Sequence, residues 1–380
     1  MSDSPRRAPA TRPQPLWRRE AFLGVTLAAC LLFLVGGEAI FAGLSNPLWL
    51  AFVAASLFTV ILISALAVVR HAEAIAERVG EPYGTLILTL SVTSIEVMSL
   101  SAVMLHGQNN PTLVRDTLFS VVMIILGGMV GLSLLIGAWR HREQLYNLQG
   151  ANVYLGLIIP LAVLSLVMPD YTRTTAGPTL SVAQETFLIV MSVGLYGAFL
   201  AMQTRRYRGY FVLAGAEAPA AAAEGHHGGG GSAWGHAALL AAYMVPVVFL
   251  AEQLARPLDY AIETLHAPTA LGGFVIALVV AAPEGVGAAR AALVNDVQRA
   301  VNIFLGSVLC TIGLTVPAML IVSLVTGRGL VLGLEHTDFV MLLLTLAVSV
   351  VTFASGRTNV MQGAVHLLLF LAYLLLMFQG

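Results

Sequence analysis

Two glutamates, Glu96 and Glu284, lie near the middle of long apolar stretches of the sequence. An ionisable side chain at the centre of a bilayer costs roughly 2.5–3.5 kcal/mol on insertion scales, so such residues are rare and usually functional. The first glutamate ends segment 80–96 and the second ends segment 271–284. Two carboxylates in related apolar contexts indicate a duplicated ion site.

Hydroxyl-bearing residues accompany the first glutamate at helical spacing. Residues three or four apart share one face of a helix, and the face in question carries Thr85, Thr89, Thr93, Glu96 and Ser99. Threonine hydroxyls on such helices often bond to a backbone carbonyl of the preceding turn, which is the alternative reading. A polar stripe centred on a carboxylate predicts that Thr89 and Thr93 line a cation and proton path.

Small residues accompany the second glutamate. The difference between positions 284 and 96 is 188, and adding it to the first stripe gives Gly273, Ala277, Ala281, Glu284 and Gly287. Small residues let membrane helices approach closely. The two glutamate-bearing helices are therefore expected to cross near the bilayer centre, with ordinary close packing as the alternative.

Pro283 stands directly before the second glutamate. It has no N–H for the carbonyl of Val279, and its ring disturbs the preceding turn. A carbonyl freed in hydrocarbon needs a partner, which a cation or a water beside Glu284 could supply. The first copy has Ile95 at the matching position.

The apolar span after each glutamate also carries polar groups. These are Asp116, Thr117 and Ser120 in the first half and Asn302, Ser307 and Thr311 in the second. Asp116 and Asn302 are candidate secondary ligands or gate residues, with interfacial anchoring as an equal alternative. Ser120 and Ser307 are further candidates for the path.

The composition is that of a polytopic all-α membrane protein. The chain is 58% hydrophobic and 10% charged, whereas a soluble domain has about 25% charged residues. A net charge of −1 excludes a nucleic-acid surface. Cys30 and Cys310 fall inside apolar spans, where they are expected to pack as small apolar residues.

Eleven segments are long and apolar enough to span a bilayer, which takes about 20 residues. They are Ala21–Gly43, Leu48–Val69, Pro82–Leu105, Leu113–Ala138, Ala151–Met168, Leu180–Met202, His236–Leu254, Thr269–Leu293, Arg299–Val325, Asp338–Phe353 and Gly363–Phe378. The offset of 188 superimposes spans two to six on spans seven to eleven. Because five spans are an odd number, the second copy must be inverted, as in many secondary transporters.

The sequence thus divides into a first part, 1–46, with an arginine-rich N terminus and a leading helix, and two inverted five-helix repeats, 47–202 and 236–380. A Gly-, Ala- and Ser-rich segment, 203–235, joins the repeats as a flexible cytoplasmic linker. Its histidines, His226 and His227 with the neighbouring His236, could bind a metal, but a solvated linker is favoured.

Arginine placement predicts the orientation. With a cytoplasmic N terminus, only four arginines fall outside: Arg115, Arg173, Arg256 and Arg328. An excess of arginine in cytoplasmic loops is the positive-inside rule. An odd number of spans then places the C terminus outside, in what is expected to be a bacterial plasma (inner) membrane.

At these residues the chain resembles the cation/proton exchangers of the Ca²⁺:cation antiporter superfamily, especially the bacterial sodium–potassium/proton and calcium/proton antiporters of the ChaA type. The resemblance covers residues 80–138 and 271–320 and the arrangement of two five-helix repeats. It implies that Glu96 and Glu284, within Thr-Ser-Ile-Glu and Ala-Pro-Glu-Gly, are the family's two essential acidic residues.

The chain departs from the better-known calcium/proton exchangers of this superfamily, which carry asparagine three residues before each glutamate. Thr93 and Ala281 stand at those positions here. Ca²⁺ takes six to eight oxygen ligands, so the loss of side-chain oxygens leaves Na⁺ or K⁺ open as the substrate.

The sequence therefore predicts antiport of Ca²⁺, Na⁺ or K⁺ against H⁺ by alternating access, with Glu96 and Glu284 as the shared site. A passive cation channel that uses the same carboxylates is the first alternative, and an intramembrane enzyme is the second. No resident cofactor is expected. The expected partners are membrane lipid, metal cations and protons, and no oligomeric state is indicated.

Overall fold

The computed structural model describes residues 20–80, 83–106, 110–175, 177–213 and 232–379. Within these ranges, eleven helices are long and apolar enough to cross a membrane, which confirms the predicted all-α class and number of spans. In chain order, α1 to α11 are Ala21–Phe41, Pro47–Val79, Tyr83–Leu105, Leu113–His141, Leu148–Tyr171, Val182–Arg206, Ala233–Leu265, Leu271–Leu293, Val297–Thr326, His336–Phe353 and Val360–Gln379.

Helices α2 and α7 are much longer than the apolar runs within them. Each has 33 residues, or about 50 Å at 1.5 Å per residue, against a hydrocarbon core of about 30 Å. The cap of α2 explains its start, because the Asn46 side chain accepts hydrogen bonds from the backbone N–H groups of Leu48 and Trp49. The helix ends at Val79, and the following cap residue, Gly80, has a φ of 73°, which favours glycine. The spans predicted from hydropathy omitted the last turns of both helices, because these turns carry charged residues.

The helices pack in corresponding pairs. Helix α4 packs against α8 and α11, while α9 packs against α3 and α6, and the long helices α2 and α7 pack along each other. If each helix of the first repeat is replaced by its equivalent in the second, and the reverse, these pairs map onto one another. This is expected for two repeats of one fold. Helix α1 stands outside the repeats and packs on α2 and α7.

Two π-helical segments occupy equivalent places in the repeats. One covers Met123–Met129 within α4, and the other covers Thr311–Thr315 within α9. Their first residues differ by 188 positions, which is also the spacing of the two glutamates. Single π turns inside α-helices frequently occur at functional sites, and these two face the glutamate-bearing helices of the opposite repeat.

Successive helices cross the membrane in opposite directions, so the end of α6 and the start of α7 lie on the same side of the molecule. This side is called the linker face below. Residues at the start of segment 203–235 are ordered: Met202–Arg206 form a π turn and Arg208–Phe211 a 3-10 helix. Strands β1 (Gln144–Leu145) and β2 (Arg357–Thr358) pair antiparallel on the same face. Residues 214–231, with His226 and His227, lie outside the described residues.

A buried histidine pair joins α1, α2 and α7 near the linker face. The Nδ1 atoms of His71 and His236 lie 3.0 Å apart, and His71 Nε2 lies 3.3 Å from the Glu20 carboxylate. Arg70 and Tyr243 also donate to Glu20. His236 is therefore part of helix packing in this structure and lies only 7% exposed.

Candidate cation site

Glu96 is enclosed at the contact between the two repeats. The residue is 1% exposed, and its Oε2 accepts hydrogen bonds from the hydroxyls of Thr315 at 2.7 Å and Thr311 at 3.2 Å. Its Oε1 is buried without a hydrogen-bond partner among the described residues. A buried oxygen without a partner is costly, so this atom marks a place where a proton or a cation would be stabilised.

The π segment of α9 explains why two threonines converge on one carboxylate. Thr311 and Thr315 are the first and last residues of that segment, and they are about one helical turn apart. Helix α3 packs against this segment and presents Glu96 to it. One repeat therefore supplies the charge and the other supplies the hydroxyls.

Polar groups continue from Glu96 along α3. The Thr93 hydroxyl donates to the backbone carbonyl of Thr89 at 2.9 Å and lies 2.8 Å from the Cys310 sulfur. Tyr196 of α6 interacts with the side chains of Thr89 and Cys310. The Ser99 hydroxyl is buried without a partner among the described residues. The Thr93 hydroxyl thus bonds to a backbone carbonyl of the preceding turn, which was the alternative to lining a path. It also contacts another polar side chain beside the carboxylate.

Glu284 lies on α8, which packs against α3 and the π segment of α4, and its surroundings differ from those of Glu96. The residue is half-buried, and its Oε2 is buried without a hydrogen-bond partner within the described part of the chain. Its helix runs unbroken through Pro283. A methyl group added at the next residue, Gly285, would lie 2.7 Å from the terminal carbon of Met129, so α8 packs closely on the π segment of α4 at this level.

The small-residue face of α8 allows close contact with three helices. A methyl group at Gly273 would lie 2.7 Å from the backbone of Asp116 in α4, and one at Gly287 would lie 3.6 Å from Ile303 in α9. Helix α8 also contacts α3. The tightest approach is therefore to α4, whereas the sequence pattern pointed to a crossing with the other glutamate-bearing helix.

Asp116 and Ser120 do not bond to either glutamate. Asp116 accepts hydrogen bonds from Arg115 at 2.8 Å and Thr112 at 2.9 Å, near the end of α4 that lies away from the linker face. The Ser120 hydroxyl lies 2.8 Å from that of Tyr373 in α11. The Ser120 contact joins α4 to α11, whereas Asp116 is bonded within the start of its own helix.

Asn302 and Ser307 lie between the linker face and the threonines. Asn302 donates to the Phe211 carbonyl at 2.8 Å and accepts from Gln298 at 3.0 Å, so it fixes α9 to the 3-10 helix. Ser307 is half-buried one turn before Thr311. Of these two residues, only Ser307 lies one helical turn from a threonine that donates to Glu96.

Three contributors to the site were not singled out from the sequence: Thr315, Cys310 and Tyr196. Thr315 follows Thr311 by four residues, so helical spacing could have revealed it. Cys310 and Tyr196 gave no such signal, because their role depends on the packing of α6 and α9 against α3. Among the described residues, no group of three or more His, Cys, Asp or Glu side chains could hold a metal ion.

Comparison with known proteins identifies the family. The sequence matches the sodium/calcium exchanger protein family over residues 48–205 and 235–379. The chain belongs to this family. It is 41% identical over 323 residues to the sodium-potassium/proton antiporter ChaA of Escherichia coli K12, covering 84% of this chain and 86% of that protein. It is 42% identical over 309 residues to the putative ionic transporter y4hA of Sinorhizobium fredii, covering 81% and 83% respectively.

Solved structures show the same exchanger fold. The structure of native YfkE superimposes with a TM-score of 0.73 at 20% identity, covering 94% of this chain and all of that one. This family member is accordingly an integral membrane protein built from one leading helix and two inverted five-helix repeats. It is a transporter and not an enzyme.

Proposed function

We propose that this protein is a secondary antiporter that exports Na⁺, K⁺ or Ca²⁺ in exchange for protons by alternating access. Glu96 and Glu284 form the shared site, and the protein lies in a bacterial plasma membrane with its linker face in the cytoplasm. The observation that carries the proposal is the environment of Glu96: two hydroxyls on one carboxylate oxygen and none on the other.

A carboxylate enclosed in this way has two stable forms. It can take a proton and become neutral, or it can hold a metal cation whose remaining ligands are nearby oxygens. Both forms avoid an isolated charge in a medium of low dielectric constant, which is strongly unfavourable. Exchange follows if the protein changes its open side only when one of the two is bound.

The related proteins support this choice of reaction. ChaA of E. coli is named a sodium-potassium/proton antiporter, and a relative from Aphanothece halophytica, 22% identical, is named a Ca²⁺/H⁺ antiporter. The sequence covers most of ChaA, including both repeats. We therefore extend cation/proton exchange to this chain and leave the choice among the three cations to experiment.

Proton flux in inverted membrane vesicles tests the proposal. Na⁺, K⁺ and Ca²⁺ are added separately to acidified vesicles across a range of pH. We expect at least one cation to release protons, and we expect Glu96→Gln vesicles to release none. Cation conductance without proton movement would instead support a passive channel. Glu263→Gln is the control, because Glu263 is exposed at the opposite end of α7 from the linker.

A further inference from the structure

We infer that His366 of α11 is a positioning residue for transport: it keeps the π segment of α4 in its π form, and this segment in turn supports α8. The inference rests on the antiport function proposed above. It follows from the backbone bonds of the π segment, from the two partners of the histidine ring and from the packing of α11 on α4.

The π segment separates one buried carbonyl from its usual donor. In an α-helix, each N–H bonds to the carbonyl four residues earlier, so Val130 would bond to Leu126. Here the Val130 N–H bonds instead to the carbonyls of Ile125 and Gly127. Leu126 is fully buried, and a buried backbone carbonyl needs a hydrogen-bond partner.

The ring of His366 supplies a donor to this carbonyl. Its Nδ1 atom lies within hydrogen-bond distance of the Leu126 oxygen, and because a carbonyl only accepts, Nδ1 must carry the hydrogen. The Nε2 atom lies 2.9 Å from the Thr352 hydroxyl of α10, which donates to it when the ring is neutral. His366 is 0% exposed, so bulk water does not compete for either bond.

Thr352 is itself held in place. Its backbone carbonyl accepts a hydrogen bond of 3.0 Å from the Tyr146 hydroxyl. Bonds therefore lead from Tyr146 through Thr352 and His366 to Leu126. They connect the start of α5 with α10, α11 and α4, and they fix the orientation of the histidine ring.

Glycines of α4 bring α11 close to the same segment. A methyl group added at Gly127 would lie 3.1 Å from Phe370, and one added at Gly131 would lie 2.6 Å from the backbone nitrogen of Leu367. The two helices thus approach each other closely just after Leu126. This approach allows a histidine side chain to reach a backbone carbonyl of the neighbouring helix.

The π segment also packs against α8, the helix that carries Glu284. A methyl group added at Gly285 would lie 2.7 Å from Met129, the last residue of the segment. If Leu126 regained its α-helical donor, the residues after the segment would turn by about 100° relative to those before it, the rotation per residue of an α-helix. Met129 would then leave its place, and α8 would lose this contact directly beside Glu284.

Three substitutions at position 366 test the hydrogen bond to Leu126. The amide nitrogen of asparagine can take the place of Nδ1, whereas that of glutamine reaches the place of Nε2. His366→Asn should therefore keep the bond, and His366→Gln and His366→Leu should lose it. The maximal rate of cation-driven proton flux is measured in liposomes that contain the purified protein. We expect the asparagine variant to stay within about threefold of the wild type and the other two to fall about tenfold or more, because a buried acceptor is left unsatisfied.

Ser349→Ala is the matched control. The Ser349 hydroxyl is also buried, but it bonds to the Thr345 carbonyl of its own helix, so this variant should transport like the wild type. If the ring only filled space, glutamine would replace it better than asparagine, since glutamine is closer to histidine in size. Rates that follow size, equal rates in the three variants at position 366, or failure of the asparagine variant alone to fold would overturn the inference.

Failure of the wild type to couple any cation to protons would refute the antiport function itself, so the two failures are distinguishable. Rates are expressed per folded protein, with unfolding followed in detergent. If no variant at position 366 folds, Thr352→Val replaces them, because it removes the hydroxyl that orients the ring and leaves the ring in place. It should lower the maximal rate about threefold, as expected for one neutral hydrogen bond, and an unchanged rate would overturn the inference.

Discussion

The Glu96 carboxylate accepts a hydrogen bond of 2.7 Å from the Thr315 hydroxyl, although 219 positions separate the two residues. The bond joins a helix of the first repeat to the π segment of the second. The candidate cation site is consequently a property of both repeats together, since neither supplies the carboxylate and the hydroxyls by itself.

Thr315→Val tests whether this hydroxyl binds the cation. Valine keeps the shape of threonine but removes the oxygen. Because hydrogen bonds to charged groups contribute about 1.5–3 kcal/mol, we expect the half-saturating cation concentration to rise about tenfold or more. The measurement is cation-dependent proton flux in liposomes. Thr326→Val is the matched control, since that hydroxyl lies on the same helix and bonds to its own backbone. Equal behaviour of the two variants would exclude Thr315 as a ligand.

Gly273→Ala should destabilise the contact between α8 and α4. The added methyl group would lie 2.7 Å from backbone atoms of Asp116 and Thr117, which cannot rotate away. Overpacking of this kind costs about 1–3 kcal/mol, measurable as a lower thermal unfolding midpoint in detergent. Gly287→Ala on the same helix meets only an isoleucine methyl group at 3.6 Å and should leave the midpoint unchanged. A similar loss in both variants would contradict this explanation.

Arg115→Gln should be strongly destabilising. Arg115 and Asp116 are both nearly buried and form an ion pair at 2.8 Å, and removal of one partner from a buried pair costs about 3–5 kcal/mol. The double variant Arg115→Gln with Asp116→Asn should recover much of the loss, because no charge remains unpaired. Arg256→Gln is the comparison: its pair with Glu38 is exposed and should contribute at most about 1 kcal/mol. Unfolding in detergent measures all three variants.

His236→Ala should weaken the packing of α7 on α2. The Nδ1 atoms of His71 and His236 are 3.0 Å apart, so one donates and the other accepts, and alanine removes this buried bond. A hydrogen bond of this kind contributes about 0.5–1.5 kcal/mol, so we expect a lower unfolding midpoint in detergent.

His236→Gln should lose less, because an amide can donate or accept and can still bond to His71. An alanine variant as stable as the wild type would show that the histidine contact contributes nothing to stability.

The sequence by itself determined the class of the protein and the elements of its fold. Long apolar runs require helices because every backbone polar group in lipid must be satisfied within the segment. The odd number of spans per repeat required the second copy to be inverted. Glu96 and Glu284 could be singled out because a charge in an apolar run is costly. The ends of α2 and α7 could not be placed, since helices continue past the point where hydropathy falls.

Tertiary structure decided which groups surround each glutamate. Thr311 was only one polar residue among several in the sequence, whereas the packing of α3 against α9 brings it and Thr315 to Glu96. Asp116 instead bonds to Arg115 and Thr112 at the start of its own helix, and Asn302 bonds to the Phe211 carbonyl. Helical spacing predicts neighbours along one helix, but contacts between helices depend on where two repeats meet. The sequence already places hydroxyls beside Glu96 and small residues beside Glu284, but the two threonines that donate to Glu96 come from the other repeat and are visible only once the chain is folded.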